Sequence, residues 1–268
     1  MPTTLTEALA ENRAAGRRSL LVYLMVDSDR RKALVPLVRA CAAAGVTGIE
    51  LGFPFSDPIA DGPVLQAAAS RALEHGTTWH DLIRSLRAVS AELPVAVMTY
   101  ANPVFHRGVT RACQEIAAAG GSALILPDLS LEESSQWRRE AHRAGLALVQ
   151  MGSPATSLPR VRNLAKATSG FLYLVSRFGT TGKGDAVPMS QLRARVGAAH
   201  LARPDLPVLI GFGIRKGSDV TTVRATGADG AIVGSAVEEV LVRSTDPRRL
   251  VGFLRPIVRA LASSRVAR

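Results

Sequence analysis

The feature that most limits what this chain can fold into is an alternation. Eight short apolar runs recur along it: Leu20–Leu24, Gly48–Phe53, Val95–Tyr100, Ala123–Leu126, Leu146–Met151, Phe171–Val175, Leu206–Ile210 and Gly230–Val233. Between them lie segments with apolar residues at helical spacing, such as Leu34, Leu37, Val38 and Cys41 in the segment Arg31–Ala44 that stops at Gly45. Strands that are apolar throughout and separated by helices imply a parallel sheet covered on both faces. Eight such units in about 250 residues fit one closed α/β barrel, a (β/α)8 or TIM barrel, and a doubly wound open sheet is the second choice. Thr3–Gly16 comes before the first strand and reads as an extra N-terminal helix. No linker or low-complexity tract interrupts residues 1–268, so a single domain is expected. Ala101–Gly108 reads as a loop.

In such a barrel, function gathers at the C-terminal strand ends. Tyr23, Glu50, Tyr100, Asp128, Met151, Tyr173, Gly211–Gly213 and Gly234–Ser235 all fall at or near those ends. The stretch Gly48–Pro63 is the most telling. Glu50 sits inside an apolar run, where a carboxylate is costly unless it has a partner or a task. Asp57 and Asp61 follow in a loop fixed by Pro54, Pro58, Gly62 and Pro63. A rigid loop holding acids beside a buried strand carboxylate suits general acid–base chemistry. The competing reading is structural, a strand-end acid capping a helix with two ordinary turn aspartates. Gly211-Phe212-Gly213 and Gly234-Ser235 end consecutive strands, and the second opens a helix. Backbone N–H groups and a helix N-terminus there would cradle an anion such as phosphate, unless the glycines serve only tight turns. Gly179–Gly182, small and polar, suits either a lid that closes the same pocket or an ordinary surface loop.

Several chemistries find no support. The five histidines form no ligand pair, so no metal is expected. The four lysines (Lys32, Lys166, Lys183 and Lys216) avoid strand ends, which argues against a Schiff base. No Gly-x-Ser-x-Gly elbow occurs. The formal charge of +11 raises nucleic acid as a partner, but aromatic residues make up only 4% of the chain and do not interleave with basic runs. Nucleic acid is therefore not expected. No run nears the roughly 20 apolar residues of a membrane span. Cys41 and Cys113 lie in Ala-rich helical contexts and read as core residues in a reducing, cytoplasmic setting.

The stretch Glu50-Leu-Gly-Phe-Pro-Phe-Ser-Asp-Pro-Ile-Ala-Asp61-Gly-Pro closely resembles the signature of the tryptophan synthase alpha subunit family. The resemblance continues through Tyr100-Ala-Asn-Pro, Pro127-Asp128-Leu, Tyr173-Leu-Val-Ser-Arg177, Gly179-Thr-Thr-Gly182, Gly211-Phe-Gly213 and Gly234-Ser235. It implies a (β/α) barrel without cofactor or metal that cleaves indole-3-glycerol phosphate to indole and glyceraldehyde 3-phosphate. By position, Glu50 would be the general acid–base and Asp61 the group that binds the indole N–H. Tyr23, Met98, Tyr100, Ile125, Met151 and Tyr173 would surround the substrate. Gly182, Phe212, Gly213, Gly234 and Ser235 would hold its phosphate. The other class of function compatible with these residues is a non-catalytic phosphate-binding barrel kept for association.

Two segments depart from the family. After strand one it usually reads Thr-x-Gly-Asp-Pro, and here the segment is Met25-Val-Asp-Ser-Asp29. After strand five it usually reads Ala-Pro-Thr or Pro-Pro-Asn, and here Gly152-Ser-Pro-Ala155 stands. The first loop belongs to the face that meets the beta subunit in this family. Altered pairing with such a partner is therefore expected, while Glu50 and Asp61 are untouched.

Overall fold

A computed structural model describes residues 3–176, 188–211 and 215–262. The strands are β1 (Ser19–Met25), β2 (Gly48–Gly52), β3 (Val95–Met98), β4 (Gly121–Ile125), β5 (Ala147–Gly152), β6 (Leu172–Val175), β7 (Val208–Gly211) and β8 (Gly230–Val233). All pair in parallel with their sequence neighbours, and β1 closes on β8 through pairs such as Leu21↔Ile232. The open-sheet alternative is thereby excluded. The barrel is ringed by α2 (Arg31–Ala44), α3 (Pro63–Glu74), α4 (Trp79–Val89), α5 (Ala101–Arg107), α6 (Val109–Ala118), α7 (Ser134–Arg143), α8 (Leu158–Ala167), α9 (Met189–Ala202), α10 (Val220–Thr226), α11 (Ser235–Arg243) and α12 (Pro247–Ala262). The extra helix α1 (Leu5–Ala14) precedes β1.

Strand periodicity of two divides the apolar residues into two cores. Leu20, Val22 and Leu24 of β1, with Ile49 and Leu51 of β2, face outward and pack under the helices. Leu21, Ile125, Val149, Leu209 and Ile232 face inward around Phe171, which is fully buried. Leu5 and Leu9 of α1 join this inner cluster and stop the N-terminal end of the barrel. Thr4 and Glu7 start α1 with a reciprocal capping box, and Arg13 holds its far end to Asp229 at 2.8 Å. Glu50 is on the same inward face, between Gly48 and Gly52.

One sequence expectation fails here. Residues 101–107 form helix α5 rather than a loop. Pro103 lies in its first turn, where a missing N–H costs no helical hydrogen bond. The Ala101 N–H is received by the Asp128 carboxylate, at 2.9 and 3.1 Å, from the loop after β4. α4 ends at Val89, and α7 starts at Ser134, whose hydroxyl donates to the Leu131 carbonyl at 2.7 Å.

Candidate active site

The C-terminal mouth of the barrel encloses a cavity of about 450 Å³. Glu50 projects into it from the middle of β2 and is 1% exposed. Its Oε1 is buried with no hydrogen-bond partner among the described residues. Burial alone pushes its carboxyl up to about 8, because charge is poorly solvated inside the barrel. Asp61 reaches the same cavity from the loop after β2 and is raised by burial to about 6, against the opposing hydrogen bond from Tyr100. The two acids are thus held neutral up to different pH values, which is the usual way for a site to assign separate acid and base roles.

The loop carrying Asp61 is fixed at several points. The Tyr100 hydroxyl donates to Asp61 Oδ2 at 3.0 Å and accepts the Ala60 N–H at 3.0 Å. Phe55 packs on the Tyr100 ring at 5.3 Å, and the Gln66 amide donates to the Asp61 carbonyl at 2.9 Å. Asp57 remains at the surface, where it accepts from Ser56.

Aromatic and thioether groups form the walls. Tyr23, Met98, Met151 and Tyr173 all line the cavity. The tyrosine rings fit because glycines face them. A Cβ at Gly52 would stand 2.0 Å from the Tyr23 hydroxyl, and one at Gly211 would stand 2.3 Å from the Tyr173 ring. Burial keeps both phenols neutral well above their ordinary range. Gly234 and Ser235 line the cavity beside Tyr23, with Ser235 as the first residue of α11.

Not every residue expected at the site faces the cavity. Ile125 is fully buried in the inner core. Tyr100 stands behind Asp61 rather than on the wall. Gly182, Phe212 and Gly213 lie outside the described residues, as does the Gly179–Gly182 loop. Leu65 of α3 and Ser176 after β6 line the cavity without having been anticipated. Neither carries a local signal, since an apolar helix position and a loop serine are ordinary. A larger groove of about 820 Å³ lies outside the barrel between α4 and α6. The acid lining it, Glu115, is already engaged by Arg107, Arg111 and Trp79, so the barrel mouth is the chemically equipped cavity.

The first loop keeps one of its two acids inside the protein. Asp27 is buried, and its carboxylate lies 2.8 Å from His75 Nδ1, 3.0 Å from the Asp29 N–H and 3.8 Å from Arg30 Nε. Arg30 also binds Glu238 of α11 at 3.1 Å, and Glu238 accepts the Met25 N–H at 2.9 Å. Asp27 is therefore internally paired, and of the two loop acids only Asp29 is exposed.

The sequence model of the tryptophan synthase alpha chain family matches residues 9–251. The chain belongs to this family. A tryptophan synthase alpha chain from Chloroflexus aggregans is 42% identical over 270 residues, covering 96% of this chain and 97% of the relative. One from Methanosarcina mazei is 40% identical, covering 90% and 88%. The crystal structure of Mycobacterium tuberculosis tryptophan synthase superimposes with a TM-score of 0.87 at 30% identity, covering 98% of this chain and 100% of that one. The reaction of the tryptophan synthase alpha subunit is lyase cleavage of indole-3-glycerol phosphate to indole and glyceraldehyde 3-phosphate, and it is the reaction of this chain. The non-catalytic alternative falls with that membership. The family works with a beta subunit in the tryptophan synthase complex. Among the described residues, no helix is long and apolar enough to cross a membrane.

Proposed function

We propose that Glu50 and Asp61 divide the chemistry of this cleavage between them. The observation that carries the reading is the unpartnered, buried Glu50 Oε1 in one cavity with Asp61. Near neutral pH, Glu50 with its pKa about 8 is a carboxylic acid, and Asp61 with its pKa about 6 is a carboxylate. Glu50 gives its proton to indole C3, and positive charge then develops at the ring nitrogen. Asp61 accepts the ring N–H and balances that charge. Glu50, now ionised, takes the proton from the glycerol hydroxyl next to the breaking bond. The hydroxyl oxygen's electrons form the aldehyde carbonyl, and the C–C bond pair returns to C3 and restores the aromatic ring. Glu50 ends protonated, ready for the next substrate.

Tyr23, Met98, Met151 and Tyr173 hold the indole ring by apolar contact. Tyr100 orients Asp61. Gly234 and Ser235 offer the N-terminus of α11 to the phosphate, and Gly182, Phe212 and Gly213 are assigned to the same group by the resemblance. Glu50→Gln tests the reading. It leaves a fold-competent amide but no transferable proton, so indole release should fall by roughly 10²–10⁴-fold. Turnover near that of the unsubstituted protein would overturn the assignment.

Pairing with a beta subunit through the first loop is altered in this chain. Asp29, exposed on that loop, and a backbone lacking the family's Gly and Pro support this reading. Asp27 does not, because its charge is taken up internally.

A further inference from the structure

We infer that Arg195 is a positioning residue for the substrate cavity, holding in place the wall that Ser153 and Pro154 present between β5 and α8. Arg195 lies on α9, outside the barrel, and is only 9% exposed. All three of its nitrogens donate to main-chain carbonyls. Nε binds the Thr156 oxygen at 3.2 Å, Nη1 binds the Gln191 oxygen at 3.2 Å on its own helix, and Nη2 binds the Pro154 oxygen. Among the described residues no carboxylate pairs with it. A buried cation without a counter-ion is costly unless its donors are matched. Here two of the three acceptors are carbonyls of one short loop, and the third belongs to α9 itself.

That loop is a wall of the cavity. Gly152, Ser153 and Pro154 all line it, next to Met151 on one side and Ser176 on the other. The segment is closed on itself: the Ser153 N–H donates to Thr156 Oγ1 at 2.9 Å, and the Thr156 N–H donates to the Ser153 carbonyl at 3.0 Å. Such a turn can still move as a unit. The guanidinium, gripping the carbonyls of residues 154 and 156, stops that movement relative to α9. A planar fork with several fixed donors does this, whereas a lysine ammonium has one flexible centre. Gly152 adds a second constraint, because a Cβ there would stand 2.8 Å from Leu174. The loop departs from the family's usual sequence at Gly152–Ala155, so the geometry of this wall belongs to this chain.

Glu50 and Asp61 lie across the barrel, on β2 and its loop. Loosening the wall should therefore weaken substrate binding and leave the chemical step nearly intact. The inference rests on the reading of the mouth cavity as the substrate site. Arg195→Met and Arg195→Lys would be compared with the unsubstituted full chain by steady-state indole release. Calorimetric binding of indole-3-propanol phosphate, which lacks the hydroxyls needed for cleavage, gives a readout independent of turnover. In Arg195→Met, KM and the analogue's Kd should rise about tenfold with kcat held within about twofold, as expected for a displaced positioning group. Arg195→Lys should fall between, and it carries the test if the methionine variant does not fold. The pH profile should keep its shape. In variants shown to be folded, an unmoved KM and Kd, with or without a lower kcat, would overturn the inference. Failure of the unsubstituted chain to cleave substrate or bind the analogue would instead bring down the reading of the cavity itself.

Discussion

Replacing Glu50 by Gln should make the protein more stable as well as inactive, and the gain should depend on pH. Burial raises this carboxyl from an ordinary 4.5 to about 8. In the unfolded chain it ionises freely above 4.5, whereas in the folded chain it stays protonated until about 8. Below 4.5 both states are neutral and Glu50 contributes nothing to the pH dependence. As pH rises between the two values, the unfolded state gains by losing a proton that the folded state keeps, so stability falls. Each pH unit in that window costs about 1.4 kcal/mol. The accumulated cost is about 3 kcal/mol at pH 7 and about 5 kcal/mol above pH 8, against under about 1 kcal/mol at pH 5. Glutamine has no proton to lose, and its own burial cost is the same at every pH. Urea unfolding followed by far-UV circular dichroism at about pH 5 and about pH 8 measures both proteins on one scale. The stability difference in favour of Glu50→Gln should widen by several kcal/mol between those two conditions. A difference that stays flat would mean that Glu50 is ionised in the folded protein, and the proton inventory of the mechanism would then be wrong.

The remaining expectations concern turnover and binding. kcat/KM should follow a bell, rising as Asp61 ionises near 6 and falling as Glu50 loses its proton near 8; a profile flat from pH 5 to pH 9 would contradict the assignment of roles. Tyr100→Phe removes a hydrogen bond that favours the Asp61 carboxylate, so the acidic limb should move to higher pH. Ser235→Asp places an anion beside the phosphate and should weaken binding of glycerol phosphate ligands by about tenfold or more in calorimetry, with free indole unaffected. Titrating a typical tryptophan synthase beta subunit into the protein while following indole release should give weak pairing and little stimulation; tight equimolar binding with a large rise in turnover would show that the Met25–Asp29 loop is compatible with the usual partner.

The barrel was legible because its signal is collective. No single run such as Leu206–Ile210 identifies a strand, but eight apolar runs at helical separation leave few architectures. Glu50 was legible for the opposite reason, as one charge in an otherwise apolar strand. What escaped reading depends on contacts between residues far apart in sequence. α5 begins where a carboxylate 27 positions later receives its first N–H, and nothing within Ala101–Gly108 announces that. Tyr100 appeared at a strand end, which placed it near the site but could not tell a wall residue from one that grips Asp61. Asp27 is one of two acids in a loop that departs from the family, and its burial depends on His75 and Arg30 folding against it. Ile125 shares the inward face of its strand with the wall residues. Its side chain is taken up by the inner core with Val149 and Phe171 and does not reach the cavity.

The stopper formed by Leu5 and Leu9 has a consequence at the opposite end of the barrel. Water reaching the interior from below would solvate an ionised Glu50 and lower its proton affinity. The raised proton affinity of that acid therefore depends on an apolar column that runs from Leu5 and Leu9 of α1 past Phe171. A helix that never meets the substrate acts as the floor of its electrostatic environment. Sealing one end of the barrel sets the acidity available at the other.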